Sequence, residues 1–191
     1  MSPRPTPDLT SRRDRVLTAA REIAESEGWA TLTMRRLCAT LGVTQPVLYT
    51  AFASRQAIID AVALGGFSDL AAALEAADPA PLARMAAYLD FAATHPHVYE
   101  AMFLLPSGLT FAVEDIPQPL QAAFAGIRTA FPDTPDTVGD DGTRAEVAWS
   151  LLHGLATLQA GGRLTPGREQ ARFDLTHRLL TQQQTQQESP S

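Results

Sequence analysis

Apolar residues recur along this chain at helical spacing. Val16, Leu17, Ala20, Ile23 and Ala24 mark one stripe beginning near Arg12, and Gly28 is placed to end it. Thr33 is a good N-cap for a short second helix, in which Met34, Leu37, Cys38 and Leu41 fall at i, i+3, i+4 and i+7. Gly42 suits the left-handed position of a helix exit. Thr44 then caps a third short helix, which tolerates Pro46 only in its first turn. Ser54 caps a fourth, running through Ile58, Ile59, Val62 and Phe67 to about Ala77. The pattern predicts further helices over 81–94, 96–105, 119–131, 143–161 (capped by Thr143) and 168–182. Residues 106–116 and 132–142, rich in Gly, Pro and Asp, read as loops. No segment alternates with the period of a strand, so the predicted class is all-α, with about nine helices.

Composition narrows this picture. The chain has 191 residues, 45% hydrophobic and 19% charged, enough to build a core and too apolar for wholesale disorder. Its one cysteine, Cys38, lies on the apolar stripe of helix two and excludes a disulfide framework or cysteine-rich zinc site. No run of 18 or more apolar residues is visible, and MSPRPTPDLTSRRDR lacks the apolar region of a signal peptide. The expectation is a cytoplasmic protein with no membrane partner. Residues 1–60 hold eight arginines against six acidic residues, a balance of +2. The remainder holds seven against fifteen, a balance of −8, giving the net −6. A basic head on an acidic body points to a head that meets a polyanion.

The three short helices within 12–52, the second and third joined by Leu41-Gly42-Val43-Thr44, have the layout of a helix-turn-helix. Leu17, Ile23, Leu37, Leu41, Val43, Leu48 and Phe52 would form its core. In that motif the third helix enters the major groove. Its outward positions, Thr44, Gln45, Pro46, Tyr49 and Thr50, are uncharged and suit base edges: Gln45 can pair bidentately with adenine, and Thr44 or Pro46 can meet a thymine methyl. Thr33, Tyr49, Ser54 and Arg55 suit phosphates, through hydroxyls, helix N-termini and a guanidinium. Arg12, Arg13 and Arg36 fit backbone contacts or a solvated surface equally well, and Tyr49 also fits packing against the first helix.

Residues 12–60, centred on TLTMRRLCATLGVTQPVLYTAFASRQAI, resemble the DNA-binding domain of TetR-type (tetracycline-repressor-like) transcriptional regulators. The resemblance rests on Thr33, the Leu37…Leu41-Gly42-Val43 turn, Leu48-Tyr49, Phe52 and Ser54-Arg55. It implies that Thr33, Thr44, Gln45, Pro46, Tyr49 and Arg55 face duplex DNA. In two places the chain departs from the family pattern: Arg55 stands where a lysine is usual, and Ala51 where a larger aromatic or histidine is common. Trp149, His153 and Gly154 in AEVAWSLLHGLATL, with HPHVYEAMF before it, resemble the Trp-His-Gly (WHG) type of C-terminal domain. The domains expected are a flexible arm over 1–11, a helix-turn-helix domain over 12–56, an effector-binding and dimerisation domain over 57–182, and a disordered tail over 183–191.

The resemblance further implies a body that dimerises through its last two helices and encloses a small-molecule effector. Independently, helix 144–161 is apolar nearly all round and needs cover on every side. The last helix adds Phe173, Leu175, Leu179 and Leu180. A two-fold homodimer supplies that cover, and one core holding both helices centrally is the alternative. Tyr88, Phe91, Met102, Phe103, Phe111, Phe124, Phe131, Trp149 and His153 are candidate pocket walls, and equally candidates for plain core. His95 and His97, two apart across a proline, do not share a helix face. No catalytic or phosphate-binding motif occurs, so neither an enzyme, a metal nor a cofactor is expected. The reading is a ligand-released repressor binding a palindromic operator as a homodimer. The rivals are an activator or co-regulator whose body binds a protein, and a small-molecule-binding bundle with an incidental helix-turn-helix.

Overall fold

The computed structural model describes residues 9–107, 116–133 and 142–181. Among them are nine α-helices and no strand: α1 (Leu9–Glu27), α2 (Met34–Leu41), α3 (Gln45–Tyr49), α4 (Arg55–Ala76), α5 (Pro81–Thr94), α6 (Pro96–Phe103), α7 (Gln118–Ala130), α8 (Thr143–Ala160) and α9 (Glu169–Thr181). A short 3-10 turn, Trp29–Thr31, joins α1 to α2 and was not expected. The helix α1 begins three residues before the expected Arg12, so residues 9–11 are helical and not part of an arm. The rest of that arm, the tail over 183–191 and most of both expected loops lie outside the described residues.

The chain divides into two compact units, Met1–Gly66 with His95–Ile116, and Phe67–Thr94 with Pro117–Ser191. The first therefore extends past residue 56 and includes α6. In it, α1 packs on α2, α6 and the 3-10 turn, and α2 packs on α3. Ile23, Leu37, Leu48 and Phe52 are buried as expected, with Val16, Trp29, Leu32, Val98 and Met102 beside them in the unit's core. Leu17, Leu41, Val43 and Cys38 are only half-buried, because short helices cover one another incompletely. Gly66 lets α4 and α6 approach: a Cβ there would lie 2.6 Å from Val98 Cγ1 and 2.7 Å from Met102 Sδ.

In the second unit, α5 packs against α7, α8 and α9, and α7 against α8. Its core includes Leu74, Met85, Tyr88, Ile127, Phe131, Ala148 and Leu152. The expected capping of α8 by Thr143 is corrected. Thr143 is the first helical residue, Gly142 takes the N-cap position at φ +104°, and Asp133 supplies the capping carboxylate. Asp133 accepts from the backbone N–H of Gly142 and, at 3.0 Å, from that of Arg144. These two N–H groups hold its pKa below the ordinary carboxylate value.

No unbroken apolar run of 18 residues occurs, but α4 has the length and mean apolarity of a membrane-spanning helix. It carries Asp60 and Asp69, and its Ile58, Ile59, Val62, Ala63, Phe67, Leu70 and Leu74 are buried within the protein, as in a core helix.

Candidate functional site

The helix-turn-helix is built as its local chemistry dictates. Thr33 takes extended backbone angles, and its hydroxyl accepts from Arg36 N–H at 3.0 Å, opening α2. Gly42 closes it at φ +64°, a conformation that costs a side-chain-bearing residue energy. Thr44 occupies the N-cap of α3 without a side-chain capping bond, which leaves its hydroxyl for another partner. Pro46 lies in the first turn, where no intrahelical N–H is lost. Ser54 opens α4, with Oγ accepting from Ala57 N–H at 3.0 Å.

Thr44, Gln45, Pro46 and Tyr49 are exposed together on α3, Tyr49 by 49%. Leu48 is 1% exposed, so the helix buries this leucine in the core while Thr44, Gln45, Pro46 and Tyr49 stay exposed. Thr33 and Ser54 are also exposed. The arginines are engaged inside the unit to a degree that the sequence did not indicate. Arg55 Nε donates to Leu32 O at 2.6 Å and Nη2 to Trp29 O at 2.5 Å, bracing the 3-10 turn against the start of α4. Arg36 pairs with Glu27 at 2.6 Å on the surface. Arg12 donates to Thr50 Oγ1 at 3.0 Å. Arg13 donates to Ala51 O, and its guanidinium carbon sits 4.1 Å from the centre of the Phe52 ring. Ala51, one of the two departures from the family pattern, is buried.

Other anchors of this unit were missed. Glu25 accepts from the N–H of Val98 at 2.9 Å and of His97 at 3.3 Å, capping α6 from α1. Trp29 Nε1 donates to His97 O at 2.7 Å. The one sequence signal for this junction is a lone tryptophan directly after the helix-ending Gly28.

Of the candidate pocket residues, Tyr88, Phe91, Phe124, Trp149 and His153 fall in the second unit, whereas Met102 and Phe103 fall in the first. Met102 packs under Gly66, and Phe103 lies 4.8 Å from Tyr99, ring to ring. Phe131 is 2% exposed, and Phe111 lies outside the described residues. Trp149 Nε1 donates to Tyr88 OH at 3.1 Å, and Phe124 meets the indole edge-on at 6.3 Å. One turn beyond Trp149, burial holds the His153 imidazole below its ordinary pKa of 6.5. The phenol of Tyr88 is fully buried, while Phe124, Trp149 and His153 are half-buried.

A short helix presenting uncharged polar residues, set by a glycine turn on a three-helix core and followed by a second helical unit, defines a helix-turn-helix DNA-binding regulator. Residues 16–62 match the family model for bacterial regulatory proteins of the tetR family, and residues 82–182 match that for the tetracyclin repressor-like C-terminal domain. The chain belongs to the TetR family of transcriptional regulators. It is 30% identical over 160 residues to the uncharacterized HTH-type transcriptional regulator Rv0681 of Mycobacterium tuberculosis, covering 78% of this chain and 71% of the relative. A Rhodococcus sp. RHA1 protein of unknown function matches at TM-score 0.64 and 31% identity, over 94% of this chain and 99% of its own. A tetR-family transcriptional regulator from Streptomyces coelicolor shares the fold at TM-score 0.64 and 17% identity, over 92% and 79%. So does a TetR variant from Acinetobacter baumannii in complex with minocycline, at TM-score 0.60 and 18% identity, over 96% and 100%.

Proposed function

We propose that this regulator is a repressor acting in the cytoplasm as a homodimer on a roughly palindromic operator, and that a small molecule bound in its body releases it. Each subunit places α3 in the major groove of one half-site. Thr44, Gln45 and Pro46 read base edges, while Thr33, Tyr49, Ser54 and the arginines beside them meet phosphates. Arg55 serves first as a brace, and Arg36 exchanges Glu27 for phosphate on binding. The reading surface lies within residues 12–56 of the first unit, and the effector and dimer surfaces lie in the second. The chain passes from one compact unit to the other within α4, at Gly66, which makes this helix the carrier of coupling. An effector shifts the equilibrium only by its different affinity for the DNA-competent and released arrangements.

The observation that carries the dimer is the uncovered apolar face of the last two helices. Val147, Leu151 and Leu158 on α8 are 52%, 38% and 42% exposed, and Leu175 and Leu179 on α9 are 49% and 60% exposed. In each helix they share one face, Val147, Leu151 and Leu158 at i, i+4 and i+11 and Leu175 and Leu179 at i and i+4, about a quarter turn round from the buried Ala148, Leu152, Thr176 and Leu180. A second copy of the same pair covers them in an isologous contact. Sedimentation velocity tests this. The native chain should sediment as two copies, and Leu175→Arg with Leu179→Arg should give a folded single copy that loses operator affinity. A native chain that sediments as one copy at micromolar concentration would contradict the proposal.

A further inference from the structure

Arg84, in the first turn of α5, is 91% removed from solvent, and its Nε has no hydrogen-bond partner. Among the described residues no carboxylate pairs with it. Four acidic groups of the same unit are engaged elsewhere. Asp78 accepts from Ala80 N–H, Asp133 caps α8, Glu169 meets Gly167 N–H and Arg172, and Asp174 accepts from Gln170. A guanidinium stays charged at every physiological pH, so it cannot escape burial by losing its proton, as a lysine can. A buried charge is retained at a cost unless a counter-charge meets it. Its position in the first turn adds to the cost, since the positive end of a helix repels a cation and attracts an anion.

The surroundings favour a defined ligand. Gly126 of α7 faces the guanidinium: a Cβ there would lie 3.6 Å from Arg84 Nη1 and 3.1 Å from the Leu74 side chain. The glycine thus keeps that side of the guanidinium free of a side chain. One turn along α5 from Arg84, Tyr88 meets the Trp149 indole, which in turn meets Phe124. One fixed positive fork matches one planar carboxylate, bound through two parallel N–H···O bonds. The aromatic side chains along the same helix face suit a carbon skeleton.

We propose that Arg84 anchors the carboxylate of an apolar organic acid bound within the second unit, with the acid's hydrocarbon part directed toward Tyr88, Phe124 and Trp149. This rests on the reading above that the body binds a small effector, and it specifies that effector's class.

The test is thermal unfolding of the full chain, refolded to strip bound molecules, in a chloride buffer. The probes are decanoate and 1-naphthoate, their neutral counterparts decanol and 1-naphthol, and inorganic phosphate. Saturating carboxylate should raise the wild-type melting temperature by at least about 2–4 °C, more than its neutral counterpart does. Arg84→Met should abolish that excess and, without ligand, melt no lower than wild type, because an unpaired buried charge has been removed. Arg84→Lys keeps the charge, loses the fork, and should retain only part of the rise.

Equal stabilisation of wild type and Arg84→Met by acids and neutral counterparts would overturn the anchor while leaving an effector-binding body intact. A rise that phosphate alone reproduces would make this an unselective anion site and overturn the ligand class. An Arg84→Met protein that melts far below wild type, with no carboxylate-dependent rise in either protein, would show that the charge is compensated within the chain. If no probe of either kind shifted wild type, the anchor would fail. The effector reading would then be judged separately, by screening neutral compounds for release of operator.

Discussion

Gln45 and Arg55 both lie in the DNA-binding head, but their side chains have different amounts of work within the fold. Gln45 is exposed at the start of α3, whereas the half-buried Arg55 already donates to two backbone carbonyls. Gln45→Ala should therefore leave the melting temperature unchanged, lose about 1–3 kcal/mol of specific affinity and relax preference at one base pair. Arg55→Ala should unfold more easily by roughly 1–3 kcal/mol, because it strands the carbonyls of Trp29 and Leu32. Its operator affinity should fall through loss of the brace, on every sequence alike. Denaturant unfolding beside operator titration checks both, and an Arg55→Ala protein of native stability would show that the brace carries nothing. The exposed α3 residues were legible from spacing alone, because helical periodicity fixes which side each residue occupies. The destination of a long arginine was not, since five donors on a flexible stem can reach many acceptors. Arg12, Arg13 and Arg55 all turn back onto the domain's own backbone or side chains.

At the scale of elements, helix boundaries followed closely from caps and breakers. Thr33, Gly42 and Ser54 act where their chemistry places them, and α5 spans the predicted 81–94. The junction of α1 with α6 was not legible, because Glu25 and Val98 are 73 positions apart and nothing local marks their meeting. Two substitutions there should behave differently. Gly66→Ala brings a methyl to within 2.6 Å of Val98 and should cost about 1–3 kcal/mol by overpacking α4 against α6. Glu25→Ala removes the α6 cap and should cost about 0.5–2 kcal/mol, with hydrogen exchange rising first at the start of α6. Native exchange rates at His97 and Val98 in Glu25→Ala would contradict that capping role.

For the whole molecule, three perturbed groups give stability the same dependence on pH. Asp133 is held low by the N–H groups of Gly142 and Arg144, Glu169 by its own N–H and that of Gly167, and His153 by burial. Each binds fewer protons folded than unfolded, so stability rises with pH. The His153 contribution is complete above its ordinary value of 6.5 and fades as pH falls below it. The two carboxylates contribute fully above their ordinary range and lose their share as pH falls through their lowered values. Melting temperatures from pH 7.5 to 3 should decline monotonically, with the higher step missing in His153→Gln and the lower one reduced in Asp133→Asn. The all-α class was legible because helical spacing repeats from α1 to α9. The leucine face of α8 and α9 was legible only as an excess of apolar residues, and the fold then separated the covered from the uncovered ones. Whether that face and α3 together make a dimeric sequence reader is tested most directly by selecting bound duplexes from a random pool and titrating the enriched sequence at two salt concentrations. The account predicts an inverted repeat with half-sites about one helical turn apart or a multiple of it, bound far more tightly than random duplex at both salts. A pool without an enriched motif, bound only weakly and only at low salt, would contradict it.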